Sequence, residues 1–377
     1  MRINDHVSLT HYLPGKAYNG FTLFTPTSST VARLIDMQGR FVQCWETPWQ
    51  PGAHGQLLEN GNLLYAAKDD SAPFAVDFNG AGGIIVEYDW DGKEVWKYED
   101  EFMHHDIQRL PNGNTMVVRW VAVPDDIAEK IEGGVPGTER KGVIWGECLH
   151  EVDPKGKVVW EWIAHDHLDV KAFPICPLCG RHEWLHVNAL DVLPNDDVMI
   201  SCHTQSKLII IDKKTKKVKW ESAKDIRLAH QHDPTTLENG NILVFDNGLH
   251  RKNSLIPCTR VLEIDKVSNS IVWEYMETNP CTFYGGFISG AQRLPNGNTL
   301  ICVGPKGRFF EVTKEGEVVW EYINPFFDIN VGIPARGRHN MVFRAHRYGL
   351  DYPGLKGKRL TPEKYEMLNR LYGPIRQ

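Results

Sequence analysis

No run of about 18 apolar residues occurs in this chain of 377 residues, so no segment reads as a membrane-crossing helix. Positive charge is not in excess either. The 42 Lys+Arg stand against 48 Asp+Glu, a net of −6. No global field therefore attracts nucleic acid or an anionic membrane, and any bound anion must be held by local groups. Cysteine is scarce, with 8 in the chain, too few for a disulfide scaffold. Six stand apart (Cys44, Cys148, Cys202, Cys258, Cys281 and Cys302), and most of these read as buried thiols. The opening MRINDHVSLTHYLPG lacks a basic stretch followed by an apolar one. The expected setting is cytoplasmic for the chain as given, or periplasmic if a leader has been removed. Long helical periodicity is also missing, except near residues 361–371. With 42% hydrophobic and 24% charged residues, the composition excludes a disordered chain.

Repeats are plentiful. One unit is a turn followed by a short apolar strand that closes on tryptophan: RLIDMQGRFVQCWE, VEYDWDGKEVWKY, HEVDPKGKVVWEW, IIDKKTKKVKWES, LEIDKVSNSIVWEY and FEVTKEGEVVWEY. Its tryptophans are Trp45, Trp96, Trp160, Trp220, Trp273 and Trp320. A second unit interleaves with it: LLENGNLLYA, LPNGNTMVV, LPNDDVMIS, LENGNILVF and LPNGNTLIC. Asn-Gly between alternating apolar residues predicts a hairpin with a type I′ turn. Each repeat then holds about four short strands. Six such units of about 50 residues predict an all-β fold, a six-bladed β-propeller. The repeated tryptophans read as packing between blades. Segments 20–26 and 340–349 are expected to complete one blade and close the ring. The propeller is expected over residues 1–355, with 356–377 as an extension carrying a short helix. Two insertions, 123–142 and 165–184, are long enough to wall a site.

Histidine is abundant, with 16 in the chain. His105 and His232 each lie seven residues before the first Asn of their NGN turn, and Asn188 holds the equivalent place in LHVNALDVLPN. His186 lies two residues earlier and, by strand alternation, shares a face with Asn188. His54 is one residue out of step. First strands of propeller blades line the central channel, so these positions converge. Converging imidazoles suit nucleophilic or acid–base work on an anionic group, or metal ligation.

The strings HHDIQRLPNGN, EWLHVNALDVLPNDDVMISCHTQS, QHDPTTLENGNILVFDNGLHR and VFRAHRYGLDYPGL resemble the arylsulfotransferase (arylsulfate sulfotransferase) family over about residues 30–355. The resemblance implies a six-bladed propeller that moves a sulfuryl group between phenols through a sulfohistidine, with no cofactor. It implies His232 as nucleophile, with His105, His186 and Asn188 holding sulfate oxygens and handling the phenol proton. His203, Arg251, His54 and His230 are candidate substrate-binding residues. One departure stands out: the family's arginine after LPNDD is replaced by His203 in SCHTQ. Histidine offers neither a permanent charge nor a guanidinium fork. Arg119, Arg251, Arg336 and Arg338 are candidates to supply that charge. The expected partner is a small aromatic or anionic substrate, with no nucleic acid or membrane.

Two other readings stand beside this one. A metal-dependent lyase or hydrolase would use His105, His186, His203 and His232 as ligands to zinc, copper, iron or nickel. A non-catalytic binding propeller is the third. Separately, ICPLCGRHEWLH places Cys176 and Cys179 close to His182, the spacing of a possible zinc loop, with His165 and His167 as further candidate ligands.

Overall fold

A computed structural model describes residues 6–72, 78, 80–252, 254, 256–327 and 339–373. The chain is a six-bladed β-propeller, with 46% strand and 9% helix. It divides into two compact units, one of residues 1–77, 84–99 and 287–377, the other of 78–83 and 100–286.

The second unit carries three antiparallel four-stranded sheets. In order from the inner strand, the first is Met103–Arg109, Thr115–Ala122, Trp145–Val152 and Val158–Ile163. The next is Val187–Val192, Val198–Cys202, Lys207–Ile211 and Val218–Glu221, and the third is His232–Thr236, Ile242–Asp246, Arg260–Asp265 and Ser270–Tyr275. The middle sheet is apolar on both faces because it has a core on each side. Val198, Ile200, Ile209 and Ile211 enter one cluster with Trp162 and Trp184, while Met199, Leu208 and Ile210 enter another with Val244 and Leu262. Strand alternation thus turns the unbroken run LIII into two half-cores. The insertions add a short parallel pair, Gly133–Val135 with Ile175–Gly180.

In the first unit, Val342–Gly349 pairs with Gly20–Pro26, which pairs with Val31–Ile35 and then Phe41–Glu46. Another sheet orders Pro51–Leu57, Leu63–Lys68, Gly83–Tyr88 and Glu94–Glu99. The last orders Gly290–Arg293, Thr299–Val303, Arg308–Val312 and Val318–Ile323, with Ser8–Tyr12 as an added fifth strand at its outer edge. Nothing in the repeat pattern pointed to that strand. A short helix, Glu366–Tyr372, packs through Tyr372 on Phe326.

The repeated tryptophans do bridge blades. Indole N–H groups of Trp45, Trp160, Trp220 and Trp320 donate to the carbonyls of Asp89, Lys213, Lys266 and Met37, each in the turn of the following sheet. The NGN turns differ from the expected type I′ form. At 110–114 the Gly113 N–H donates to Leu110 O and the Leu110 N–H to Asn114 O, with only Gly113 at positive φ (+87°). This is a type I turn closed by a left-handed glycine. The second Asn then points inward, and Asn114 Nδ2 donates to Glu151. Asn62 meets Glu87, Asn241 meets Glu263 and Asn298 meets Glu311 in the same way. Where the sequence has Ile210 in place of that glutamate, the turn carries Asp197, which pairs with Lys219.

Candidate active site

Each inner strand of the second unit is bulged at or next to a histidine near its start. Pairing slips opposite Val117 and Val118, between Val187 and Leu190, and between His232 and Thr235. Non-glycine residues take left-handed backbone at these places: His105 (φ 53°), His186 (φ 49°), His230 (φ 56°) and Asp233 (φ 53°). Each costs on the order of 1 kcal/mol, and bulges of this kind re-aim side chains. The expected alternation of His186 with Asn188 therefore fails. His186 sits outside the strand at positive φ, while Asn188 is fully buried and donates from Nδ2 to Gln231 O at 2.9 Å.

Re-aimed in this way, the imidazoles form a continuous row. Ring centroids are 4.5 Å apart for His105 and His186, 4.8 Å for His186 and His203, and 5.4 Å for His203 and His232. His104 abuts one end, its Nδ1 2.7 Å from His105 Nδ1 and its ring stacked on Trp120 at 4.2 Å. His105 is buried against Gly80, where an added Cβ would come within 2.2 Å of the imidazole. His186 and His203 are part-exposed, which leaves the middle of the row accessible.

Charge along the row is uneven. Burial disfavours an imidazolium at His186, but the Glu183 carboxylate lies 2.8 Å from Nδ1 and raises its pKa. Burial would raise Glu183 too, yet the neighbouring imidazoles, His186 first, pull it down to about 2. Glu183 also accepts from Trp120 Nε1 at 2.7 Å. A second buried carboxyl, Glu147, accepts the backbone N–H groups of Leu185 and Val187, on either side of His186. Burial, followed by repulsion from Glu183, pushes Glu147 up to about 8. His104 is driven down to about 3 by burial, and His203 falls well below its usual value through burial and four neighbouring imidazoles. Of these rings, burial drives His104 and His203 toward the neutral form, while Glu183 favours the cation at His186.

His232 Nδ1 lies 2.8 Å from Asn247 Oδ1, and Asn247 Nδ2 donates to Gly285 O at 2.7 Å. A carbonyl only accepts, so the amide orientation is fixed and Nδ1 of His232 must carry the proton. In the neutral ring the basic nitrogen is then Nε2. The strand start is anchored from the middle sheet as well, since Gln231 Nε2 donates to Ser201 Oγ at 2.9 Å and Lys207 O at 3.1 Å.

Other expected residues fall elsewhere. Arg251 is engaged by Asp246 at 2.8 Å and by backbone carbonyls, so it clamps its own loop and cannot be read as a free anion grip. Arg119 is held by Asp100 at 2.7 Å. Arg336 and Arg338 lie outside the described residues. His54 belongs to the first unit, where its Nε2 accepts from Arg344 Nη1 at 3.2 Å and its ring stacks with Phe343.

His182 is not beside the cysteines as its spacing suggested. Its Nε2 is 3.6 Å from Glu183 and its ring meets the Phe78 edge. His167 stacks on Trp162, and His165 Nε2 lies 3.8 Å from Asp166. The residues that do meet Cys176 and Cys179 are His230 and His250. Among the described residues, the set His105, His186, His203 and His232 forms no comparably tight donor group.

Sequence reasoning missed Asn247, Glu147, Glu183, His104 and His250. Asn247 had a signal, the FDNG string that carries part of the family resemblance; the two glutamates had none, since one lies in an insertion and the other on a third strand.

A model of the arylsulfotransferase (ASST) family matches residues 54–325. No curated protein sequence matches the chain. Among solved structures, a Bacteroides caccae protein of unknown function is similar at TM-score 0.54 and 15% identity, covering 87% of this chain and 98% of that one. Hydrazine synthase of Kuenenia stuttgartiensis is similar at TM-score 0.48 and 12% identity, covering 84% and 79%. Virginiamycin B lyase of Staphylococcus aureus is similar at TM-score 0.45 and 9% identity, covering 85% and 90%.

Proposed function

This chain belongs to the arylsulfotransferase family, and from that membership we propose that it moves a sulfuryl group between phenolic compounds through a sulfohistidine on His232. The observation that carries the reading is the bond from His232 Nδ1 to Asn247 Oδ1. It holds the ring proton on Nδ1, which makes Nε2 the nitrogen that attacks sulfur, and later stabilises the charge on the sulfo-imidazolium.

In the first step the Nε2–S bond forms and the S–O bond to the donor phenol breaks. The departing phenolate takes a proton from the row, whose favoured source is the His186 imidazolium. In the second step the acceptor phenol oxygen attacks sulfur, the N–S bond breaks, and His186 recovers a proton from the acceptor. Glu183 sustains both protonation states of His186 by staying ionised. By the sequence resemblance His203 takes the place of the family's arginine, and in this reading the His186–Glu183 pair beside it substitutes for that permanent cation. Cationic His186 draws the sulfate, while His203, held toward its neutral form, and His105 contribute N–H donors to its oxygens.

The test is incubation with an aryl sulfate ester that releases a coloured phenol, with and without a second phenol. Expected are a burst of coloured phenol, a mass gain of one sulfuryl group on the peptide bearing His232, and ping-pong kinetics with the acceptor. Turnover that persists unchanged in His232→Ala would sink the reading.

A further inference from the structure

We propose that Cys176, Cys179, His230 and His250 form a closed tetrahedral site for a soft divalent metal, zinc being the ion the donor set favours. The four donor atoms lie within 4.8 Å of one another. Three of the distances between them are resolved individually. Cys179 Sγ is 3.1 Å from His230 Nε2 and 3.7 Å from His250 Nδ1, and Cys176 Sγ is 3.5 Å from His250 Nδ1. In a tetrahedron with Zn–S and Zn–N bonds of the usual length, each S···N edge is about 3.6 Å. Two of the three edges, 3.5 and 3.7 Å, match that length, and the third, 3.1 Å, is shorter.

The two thiols and two imidazoles come from separate parts of the chain. The cysteines stand on the insertion strand Ile175–Gly180, tied down by its pairing with Gly133–Val135 and by Cys176 N–H to Thr204 O at 3.1 Å. His230 precedes the inner strand His232–Thr236, and His250 follows Ile242–Asp246 in the FDNGLH loop. Both histidines take left-handed backbone, at φ 56° and 55°. Such strain is retained where a conformation is demanded from outside the backbone. The backbone N–H of His230 donates to Ser206 Oγ at 3.1 Å, and that oxygen also faces His230 Nδ1. This neighbour orients the ring with Nε2 toward the cysteines, as outer partners of ligating histidines do.

Thiolate and imidazole together select zinc over hard cations such as magnesium or calcium. Four protein ligands leave no open position, so the ion is a staple and not a Lewis acid. It joins the insertion to the third sheet of this unit. His230 is also one ring from the catalytic row, 4.5 Å from His203, and two residues before His232. The ion therefore sets where the insertion wall stands relative to the row. This inference does not depend on the sulfuryl-transfer reading.

The experiment is elemental mass spectrometry on the full chain, purified untagged and without chelator, followed by cobalt(II) titration of the reduced, metal-stripped protein. Expected are about one zinc per chain and, with cobalt, the intense visible bands of a tetrahedral site plus a thiolate charge-transfer band. Zinc should fall by at least tenfold in Cys176→Ser and His250→Ala and be kept in His182→Ala. If the substitutions prevent folding, the cobalt spectrum of the unaltered protein decides alone. Octahedral-type weak bands, a Cys176–Cys179 disulfide in freshly purified protein, or zinc retained in Cys176→Ser overturns the assignment.

Discussion

Asn247 sets which nitrogen of His232 carries the proton. Because the Gly285 carbonyl holds the amide by its Nδ2, Oδ1 faces Nδ1 of the imidazole and the ring proton sits there, which makes Nε2 the basic nitrogen of the neutral ring. Asn247→Leu keeps the bulk and removes the acceptor. Its kcat/KM toward an aryl sulfate should fall by about 10²–10⁴-fold. Nitrogen-15 NMR of the His232 ring should show mixed tautomers in the variant, a change that simple loosening of the loop would not produce. Unchanged tautomer and rate would remove Asn247 from the mechanism.

His186 owes its charge to Glu183. Since its pKa is raised, the cation is present at low pH and is lost as pH rises through the raised value. Glu183→Gln removes the carboxylate, and burial then wins. The alkaline limb of the kcat/KM profile should move to lower pH in this variant, and activity at neutral pH should drop by about 10-fold or more. An unmoved alkaline limb would assign it to another group. The stability side has the opposite sense. Glu183 is depressed to about 2 from 4.5, so its contribution is present above 4.5 and lost as pH falls toward 2.

Glu147 works against stability at high pH. Its folded pKa is near 8 against 4.5 for an exposed glutamate. The native state therefore binds the proton more tightly between those values, and stability declines as pH rises through that window. In Glu147→Gln the decline disappears. The melting temperature of the unaltered protein minus that of Glu147→Gln should fall by several degrees between pH 5 and pH 8.5. A difference that is flat with pH would mean that Glu147 is ionised throughout.

Gly80 makes room for His105. A methyl group there would sit 2.2 Å from the imidazole, on a residue at φ +77°. Gly80→Ala should cost about 1–3 kcal/mol and displace His105 from the row. Thermal melts give the first effect and the aryl sulfate assay the second. An unaltered melting temperature with full activity would show that the strand relaxes at no cost.

Much of this was legible in the sequence because it repeats. The six Trp-closed units marked the blades, and the indoles of Trp45, Trp160, Trp220 and Trp320 reach the next turn as a packing role requires. The histidines were legible as a group because equivalent positions in a repeat converge. Their directions were not. Strand alternation assigned His186 and Asn188 to one face, but a left-handed residue at 186 ends the alternation before it starts. Local spacing also chose His182 for the cysteines. The actual neighbours, His230 and His250, are 51 and 74 residues away from the thiols they face, and only the packing of the sheets brings them there. Glu147 and Glu183 carried no periodic signal because a carboxylate that props a histidine leaves no mark on spacing.

The pairing of Gly20 with Gly349 has a consequence for biosynthesis. The hairpin of residues 20–35 leaves the ribosome about 300 residues ahead of its inner neighbour, Val342–Gly349. Gly20–Pro26 therefore waits with an unpaired edge while the intervening sheets are synthesised. Such an edge is a template for strangers. Premature termination anywhere before residue 342 should therefore leave a product that associates through this edge.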